Sequence, residues 1–129
     1  MDKILVDTNF LLMQFEYGLD VPSELLRISN GPITLLIPSV VMRELDTLAG
    51  RNGRRATAAR FAIQNLPRLR ERFKMEVVES FGAADEWIIK YAQKNHICVA
   101  TNDVSLRRRL LSLGVAVIAA KGKSKLDYV

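Results

Sequence analysis

The amino-acid sequence predicts an α/β fold: a single three-layer domain with a mainly parallel central sheet and helices on both faces. Three observations predict it. Short runs rich in Val, Ile and Leu recur along the chain, segments with helical periodicity lie between several of them, and 129 residues fit one ordinary domain. Strands buried on both faces are continuous apolar runs, and helices between such strands are the crossovers of βαβ units.

Each element follows from a local pattern. The apolar runs predict strands over 4–6, 34–37, 75–78, 97–100 and 115–119. Helical spacing of apolar residues predicts helices over 10–15, 23–28, 39–48, 57–66, 83–94 and 105–113. Ser39 is the expected cap of the third helix. The last residues, "KGKSKLDYV", are expected to form a mobile basic tail, so the domain is predicted over 1–120 and the tail over 121–129.

The composition narrows the class of protein. The longest apolar runs fall far short of the roughly 18 residues that span a bilayer, so no membrane association is expected. The N-terminus lacks the features of a signal peptide. A lone cysteine, Cys98, excludes an internal disulfide framework and fits a reducing environment, so the expected location is the cytoplasm.

The positive charge is distributed unevenly. The formal net charge is +5, and eight Lys or Arg residues but only one acid, Glu71, lie between Arg51 and Lys74. Further clusters follow at 107–109 and 121–125. Any one cluster has a simple explanation as a solvated helix face, but three together favour a nucleic-acid partner.

Acidic residues follow the predicted strands. In open parallel sheets, ligands bind just beyond the carboxyl ends of the strands. Asp7 follows the first predicted strand directly, and Thr101, Asn102 and Asp103 follow the fourth. Asp7 and Asp103 could each simply cap the helix that comes next.

Two further acids lie on apolar helix stripes. Glu44 is three residues after Val41 and four before Leu48, so it lies on the buried face of its helix, where a carboxylate needs a partner. Asp85 begins the stripe continued by Ile88, although the helix dipole alone also favours an acid at that position.

The four acids are harder to explain together than singly. Two carboxylates about 4 Å apart repel by on the order of 4 kcal/mol at a surface-like dielectric. The repulsion summed over several such pairs would be as large as the free energy of unfolding of a whole domain. Such a cluster needs protons or cations. Oxygen ligands without His or Cys suit Mg²⁺ or Mn²⁺. Nothing supplies a Ser-His or Cys-His pair, because the single histidine, His96, lies just before a strand and has a structural explanation.

The motifs "LVDTNFLL", "PSVVMRELD", "AADEWIIKYAQKNHICVATNDVSLRRRL" and "GVAVI", in this order and at these distances, resemble a PIN domain over nearly the whole chain. The resemblance implies a metal-dependent ribonuclease with a flavodoxin-like sheet. It assigns catalysis and metal binding, with one or two Mg²⁺ or Mn²⁺ ions, to Asp7, Glu44, Asp85 and Asp103. It assigns support of the site to Asn9 and Thr101.

The expected substrate is RNA, hydrolysed by an endoribonuclease in the processing of ribosomal or other RNA. Basic residues would contact its phosphates without reading its sequence. The candidates for these contacts are Arg51, Arg54, Arg55, Arg107 and Arg108.

The role within the family has alternatives. The motifs look closer to the PIN proteins that process small-subunit ribosomal RNA, which would make a precursor of ribosomal RNA the partner. A toxin-type ribonuclease paired with an antitoxin and a non-catalytic RNA-binding module in ribosome assembly are the other interpretations. The resemblance also admits a homodimer.

Overall fold

The computed structural model describes residues 2–129 and contains one six-stranded sheet with six helices. The strands are β1 Asp2–Val6, β2 Ile33–Pro38, β3 Lys74–Val78, β4 Cys98–Ala100, β5 Val117–Lys121 and β6 Lys125–Tyr128. The helices are α1 Thr8–Glu16, α2 Val21–Ile28, α3 Ser39–Ala49, α4 Arg54–Arg72, α5 Ala84–Asn95 and α6 Val104–Ser112. All five predicted strands and all six predicted helices are confirmed.

The sheet brings the ends of its central strands to one edge. The strand order is β3-β2-β1-β4-β5-β6, and every pairing is parallel except that of β5 with β6. Val6 pairs with Ala100, and Ala100 pairs with Ile118, so β1, β4 and β5 run in register. The residues that follow β1 and β4 therefore lie side by side, and the Asp7 amide donates to the Ala100 carbonyl over 3.3 Å.

Two apolar cores cover the two faces of the sheet. Alternate residues of β1 point to opposite sides, with Ile4 and Val6 in one core and Leu5 in the other. The first core contains residues of α1 to α4, and the second contains residues of α5 and α6. This is the expected three-layer arrangement. No helix within residues 2–129 combines the length and the apolar character needed to cross a membrane.

The prediction of a mobile basic tail over residues 121–129 is wrong. Lys121 ends β5, and residues 125–128 form β6, which pairs antiparallel with β5 and places Leu126 in the core. Helix α2 holds this strand, because the Leu126 amide donates to Glu24 over 2.9 Å and Arg27 donates to the Leu126 carbonyl over 2.6 Å. The hairpin therefore belongs to the domain.

The start of α3 also differs from the prediction. Pro38, not Ser39, occupies the cap position, and it makes no side-chain capping bond. Ser80, which is buried after β3, accepts from the Val40 amide through its hydroxyl over 2.9 Å, and its own amide donates to the Ser39 hydroxyl over 2.9 Å. A residue distant in sequence thus supplies the cap.

Candidate active site

Asp7 lies at the end of β1 and is only 7% exposed. It caps helix α1, since one carboxylate oxygen accepts from the Phe10 amide over 2.8 Å. The other oxygen accepts a short hydrogen bond from the buried Thr101 hydroxyl. The two interpretations of Asp7, as a helix cap and as an active-site acid, are therefore compatible. The carboxylate caps α1 and still lies at the edge of the sheet where a ligand would bind.

The environment of Asp7 disfavours its charge. Burial raises the pKa of the carboxyl group from 3.8 to about 6, although the hydrogen bonds from Thr101 and Phe10 lower it. The negative charges of Asp103 and Asp85 raise this pKa further. Asp7 is thus a buried acid with two acidic neighbours and no cationic partner within 4 Å among residues 2–129.

Thr101 joins Asp7 to Asp103. Its hydroxyl donates to Asp7 and accepts from the Asp103 amide over 3.1 Å. Asp103 in turn caps α6 by accepting from the Leu106 amide over 2.9 Å. Its neighbour Asn102 fixes the same loop to β5, because its side-chain oxygen accepts from the Ala120 amide over 2.8 Å. The loop after β4 is therefore held rigidly at the end of β1.

Glu44 faces this edge from α3. It is partly buried on the same helix as the fully buried Leu45, and the Thr8 hydroxyl donates to it over 2.5 Å. Asp46, two residues further along, is exposed. Thr8 is thus the partner that the Glu44 carboxylate requires on the apolar stripe of α3. The sequence does not predict this contact, because nothing distinguishes Thr8 except its position directly after Asp7.

Asp85 approaches from the first turn of α5. Burial raises the pKa of its carboxyl group, the charge of Asp103 raises it further, and Arg109 lowers it. The charges of Glu44 and Glu86 also raise this pKa. Each of the four predicted acids thus interacts electrostatically with at least one other, as expected from their positions beyond parallel strands.

A cavity of about 150 Å³ lies between these elements. Its polar lining consists of Asp7, Thr8, Asn9, Glu44, Arg55 and Asp85. Asp103 does not line this cavity, but its backbone amide is joined to the Asp7 carboxylate through the Thr101 hydroxyl. The structure therefore brings three of the predicted acids to one cavity and links the fourth to Asp7 through Thr101.

The predicted basic residues fall into two groups. Arg55 lines the cavity and donates to the Asn9 side chain over 3.4 Å, whereas Arg51 is exposed on the loop before α4. Arg54 lies at the other end of α1, 5.8 Å from the centre of the Phe15 ring.

The second basic group lies on α6. Arg108 is exposed and Arg107 is partly buried. Their neighbour Arg109 pairs with Glu86 at 2.7 Å, so this acid is not free for the pairing with Lys90 that helical spacing favours. The cations of α6 are therefore partly neutralised. The first group has no acidic partner within 4 Å in the described part of the chain.

The chemical type of the side chains at this edge suits a hard divalent cation. It offers carboxylate oxygens, and the raised pKa values of Asp7 and Asp85 show that a positive charge at this edge would be favourable. Within residues 2–129, no three His, Cys, Asp or Glu side chains are close enough together to hold one ion. Mg²⁺ commonly uses only one or two carboxylates, with waters and substrate phosphates completing its shell.

Comparison with known proteins agrees with this geometry. Residues 4–123 match the family described as "PIN like domain". The chain belongs to the PIN domain ribonuclease family. The relatives of this PIN domain include Ribonuclease VapC4 of Methanocaldococcus jannaschii, 30% identical over 131 residues that cover 98% of this chain and 96% of the relative. Ribonuclease VapC9 of Archaeoglobus fulgidus is 35% identical over 114 residues, which cover 88% of this chain and 78% of the relative.

Solved structures share the fold. The PIN domain endonuclease Utp24 is 24% identical, with a TM-score of 0.74 over 98% of this chain and 90% of that chain. A domain of a functionally unknown protein from Methanocaldococcus jannaschii is 17% identical, with a TM-score of 0.72 over 94% of this chain and 92% of that chain. The predicted PIN fold is confirmed.

Proposed function

We propose that this PIN domain is a divalent-metal-dependent endoribonuclease that hydrolyses RNA phosphodiesters. One observation carries the proposal: four acids from separate segments lie at the carboxyl edge of the sheet, where burial, and then the charges of Asp103 and Asp85, raise the pKa of Asp7 to about 6. Keeping such a cluster costs stability, and binding a cation would offset that cost. A module that only binds RNA has no need of this repulsion.

The residues at the edge have distinct roles in the proposal. Asp7, Glu44, Asp85 and Asp103 would hold one or two Mg²⁺ or Mn²⁺ ions. Such ions lower the pKa of a bound water and stabilise negative charge on a phosphate. The side chains around the acids prepare them for this.

Thr101 fixes the carboxylate of Asp7 and the backbone of Asp103, and Thr8 fixes the carboxylate of Glu44. Arg55 and Asn9 face the same cavity, where Arg55 would position a phosphate of the RNA. The chain's own residues thus supply positioning and charge, and none of them needs to act as a nucleophile.

The biological role in the proposal is processing of ribosomal or other RNA. A second candidate is a ribonuclease controlled by an antitoxin, and the VapC relatives favour it, because VapC4 matches across 98% of this chain and 96% of its own length. A copurified small protein that inhibits cleavage would favour the second role. Specific cleavage of a ribosomal precursor would favour the first.

The test is cleavage of a labelled single-stranded RNA in Mn²⁺, in Mg²⁺ and in EDTA. The expected result is cleavage in at least one metal, none in EDTA, and none by an Asp7→Asn protein under any condition. The asparagine side chain keeps an oxygen that can accept from the Phe10 amide, so the variant should fold.

The matched control is Asp46→Asn, which removes the same charge from an exposed position two residues from Glu44. It should cleave like the wild type. Cleavage that persists in EDTA, or that is equal in the Asp7→Asn protein, would overturn the proposal and point to a contaminating nuclease.

A further inference from the structure

The β5–β6 hairpin extends beyond the edge of the sheet where the candidate active site lies. Ile118 pairs with Ala100, which is level with the end of β1, and β5 continues for three more residues to Lys121. The Asn102 side chain beside the site holds Ala120 in this extension. The turn of the hairpin, residues 122–124, therefore projects from the same edge of the sheet at which the four acids lie, beyond the carboxyl ends of the parallel strands.

The three lysines of the hairpin have different surroundings. Lys121 pairs with Asp127 at 3.8 Å. The pKa of the Glu24 carboxyl group is lowered mainly by its hydrogen bond from Arg27, and the charge of Lys125 adds to this effect. Lys123 has no acidic side chain within 4 Å in the described part of the chain. Its ammonium group instead lies 5.8 Å from the centre of the Tyr17 ring. Of the three, Lys123 is thus the lysine whose charge is least compensated.

Helix α1 connects Lys123 to the cations near the site. Arg55 contacts Asn9 in the first turn of α1, and Arg54 lies over Phe15 with its guanidinium 3.5 Å from the Glu16 carbonyl. Tyr17, under Lys123, is the next residue. From Asn9 to Tyr17 is about 12 Å at 1.5 Å per residue. Three cations that lack an acidic partner among residues 2–129 therefore lie around one helix, Arg55 at its first turn and Arg54 and Lys123 at its last.

We propose that Lys123 extends the RNA-binding surface formed by Arg54 and Arg55 and contacts a phosphate several nucleotides from the cleavage position. The inference rests on the proposed function, since it assumes that RNA binds at this edge. Phosphate contacts near both ends of the helix would position a single strand without reading its bases. The occupant is a single-stranded RNA long enough to reach from the cavity to the end of α1.

The test uses the full chain carrying Asp7→Asn, so that RNA is bound without being cleaved. Binding of labelled RNAs of about three and about twelve nucleotides is measured over a range of salt concentrations, since about three stacked nucleotides span only about 10 Å. The variants are Lys123→Gln and, as a matched control, Lys94→Gln, which removes an exposed lysine from the last turn of α5 on the other face of the sheet.

We expect Lys123→Gln to weaken binding of the longer RNA by about fivefold at about 0.1 M salt and to reduce the salt slope by about 0.7, the contribution of one phosphate contact. Binding of the shorter RNA should be unchanged by Lys123→Gln, and Lys94→Gln should change binding of neither RNA. A purely structural role of the lysine over Tyr17 would change binding of both RNAs together.

Two further results would overturn the inference, and they can be told apart. Equal slopes for Lys123→Gln and Lys94→Gln on the longer RNA would show that RNA binds but does not reach the hairpin. No salt-dependent binding of either RNA by any variant would remove the proposed RNA-binding function as well.

Discussion

An aspartate lies at each end of strand β1, and the two differ in burial and in their electrostatic surroundings. Asp2 begins the strand and is exposed, whereas Asp7 follows its last residue and is 7% exposed. Burial and two acidic neighbours raise the pKa of Asp7 to about 6. The same residue type on the same strand is thus an ordinary surface charge at one edge of the sheet and an energetically costly one at the other.

The cavities at the two edges of the sheet also differ, in volume and in the charge of their linings. The one at the Asp2 edge, of about 680 Å³, is larger than that at the Asp7 edge, of about 150 Å³. Its thiol, Cys98, is kept neutral because burial raises its pKa to about 12. Size alone therefore points to the Asp2 edge, while charge and the direction of the strands point to the Asp7 edge.

The largest expected effect of breaking this contrast is on cleavage. Asp103→Asn removes a charge beside Asp7 but keeps a good helix cap, so α6 should form as before. We expect cleavage to fall by about 100-fold, the upper end of the range for losing a group that supports a metal site. Asp2→Asn should stay within about twofold of the wild type. Similar rates for both variants, measured on one labelled RNA, would contradict the contrast.

A second effect is on stability as a function of pH. The folded-state pKa of Asp7 is raised, from 3.8 to about 6, so its stabilising contribution is fully present below 3.8 and is lost as the pH rises through about 6. The gap corresponds to about 3 kcal/mol, since one pKa unit is about 1.4 kcal/mol. In EDTA, the Asp7→Asn protein should therefore exceed the wild type in stability most clearly near neutral pH.

Urea unfolding at two pH values measures this directly. The advantage of Asp7→Asn over the wild type should shrink by roughly 2 kcal/mol between about pH 7.5 and pH 4. Asp2→Asn should show no such change, since its carboxyl group is exposed. An advantage for Asp7→Asn that is independent of pH would mean that Asp7 is not the costly charge.

The smallest effect concerns the hydroxyl that bridges the acids. Thr101→Val leaves a carboxylate oxygen of Asp7 and the Asp103 amide without a buried partner, which should cost about 2 kcal/mol. Thr47→Val, at an exposed position of α3, should cost less than about 0.5 kcal/mol. Equal unfolding midpoints for the two variants would show that Thr101 does not hold the acids.

The sequence predicts the parts of this molecule that depend on local pattern. The apolar runs specify the five strands of the parallel part, and parallel topology alone brings the residue after β1 next to the residues after β4. The sequence alone therefore places Asp7, Thr101 and Asp103 together. Glu44 could be singled out because a carboxylate on an apolar stripe is anomalous.

The parts that the sequence does not predict depend on distant partners. Strand β6 buries only Leu126 and is held by Arg27 and Glu24, so its own lysine-rich sequence is typical of a tail. Helix α4 continues through Pro67 to Arg72, beyond the predicted end at 66, because Leu69 packs into the core after the proline. In both cases tertiary contacts outweigh a local signal.

The most direct measurement of the central claim is calorimetric titration of Mn²⁺ into metal-free protein at about pH 7.5, where Asp7 is largely ionised given its pKa of about 6. The wild type and Asp2→Asn should bind with the same saturable heat, and Asp7→Asn should bind at least about tenfold more weakly. Equal binding by Asp7→Asn, or no saturable binding by the wild type, would contradict a cation site at the carboxyl edge of the sheet.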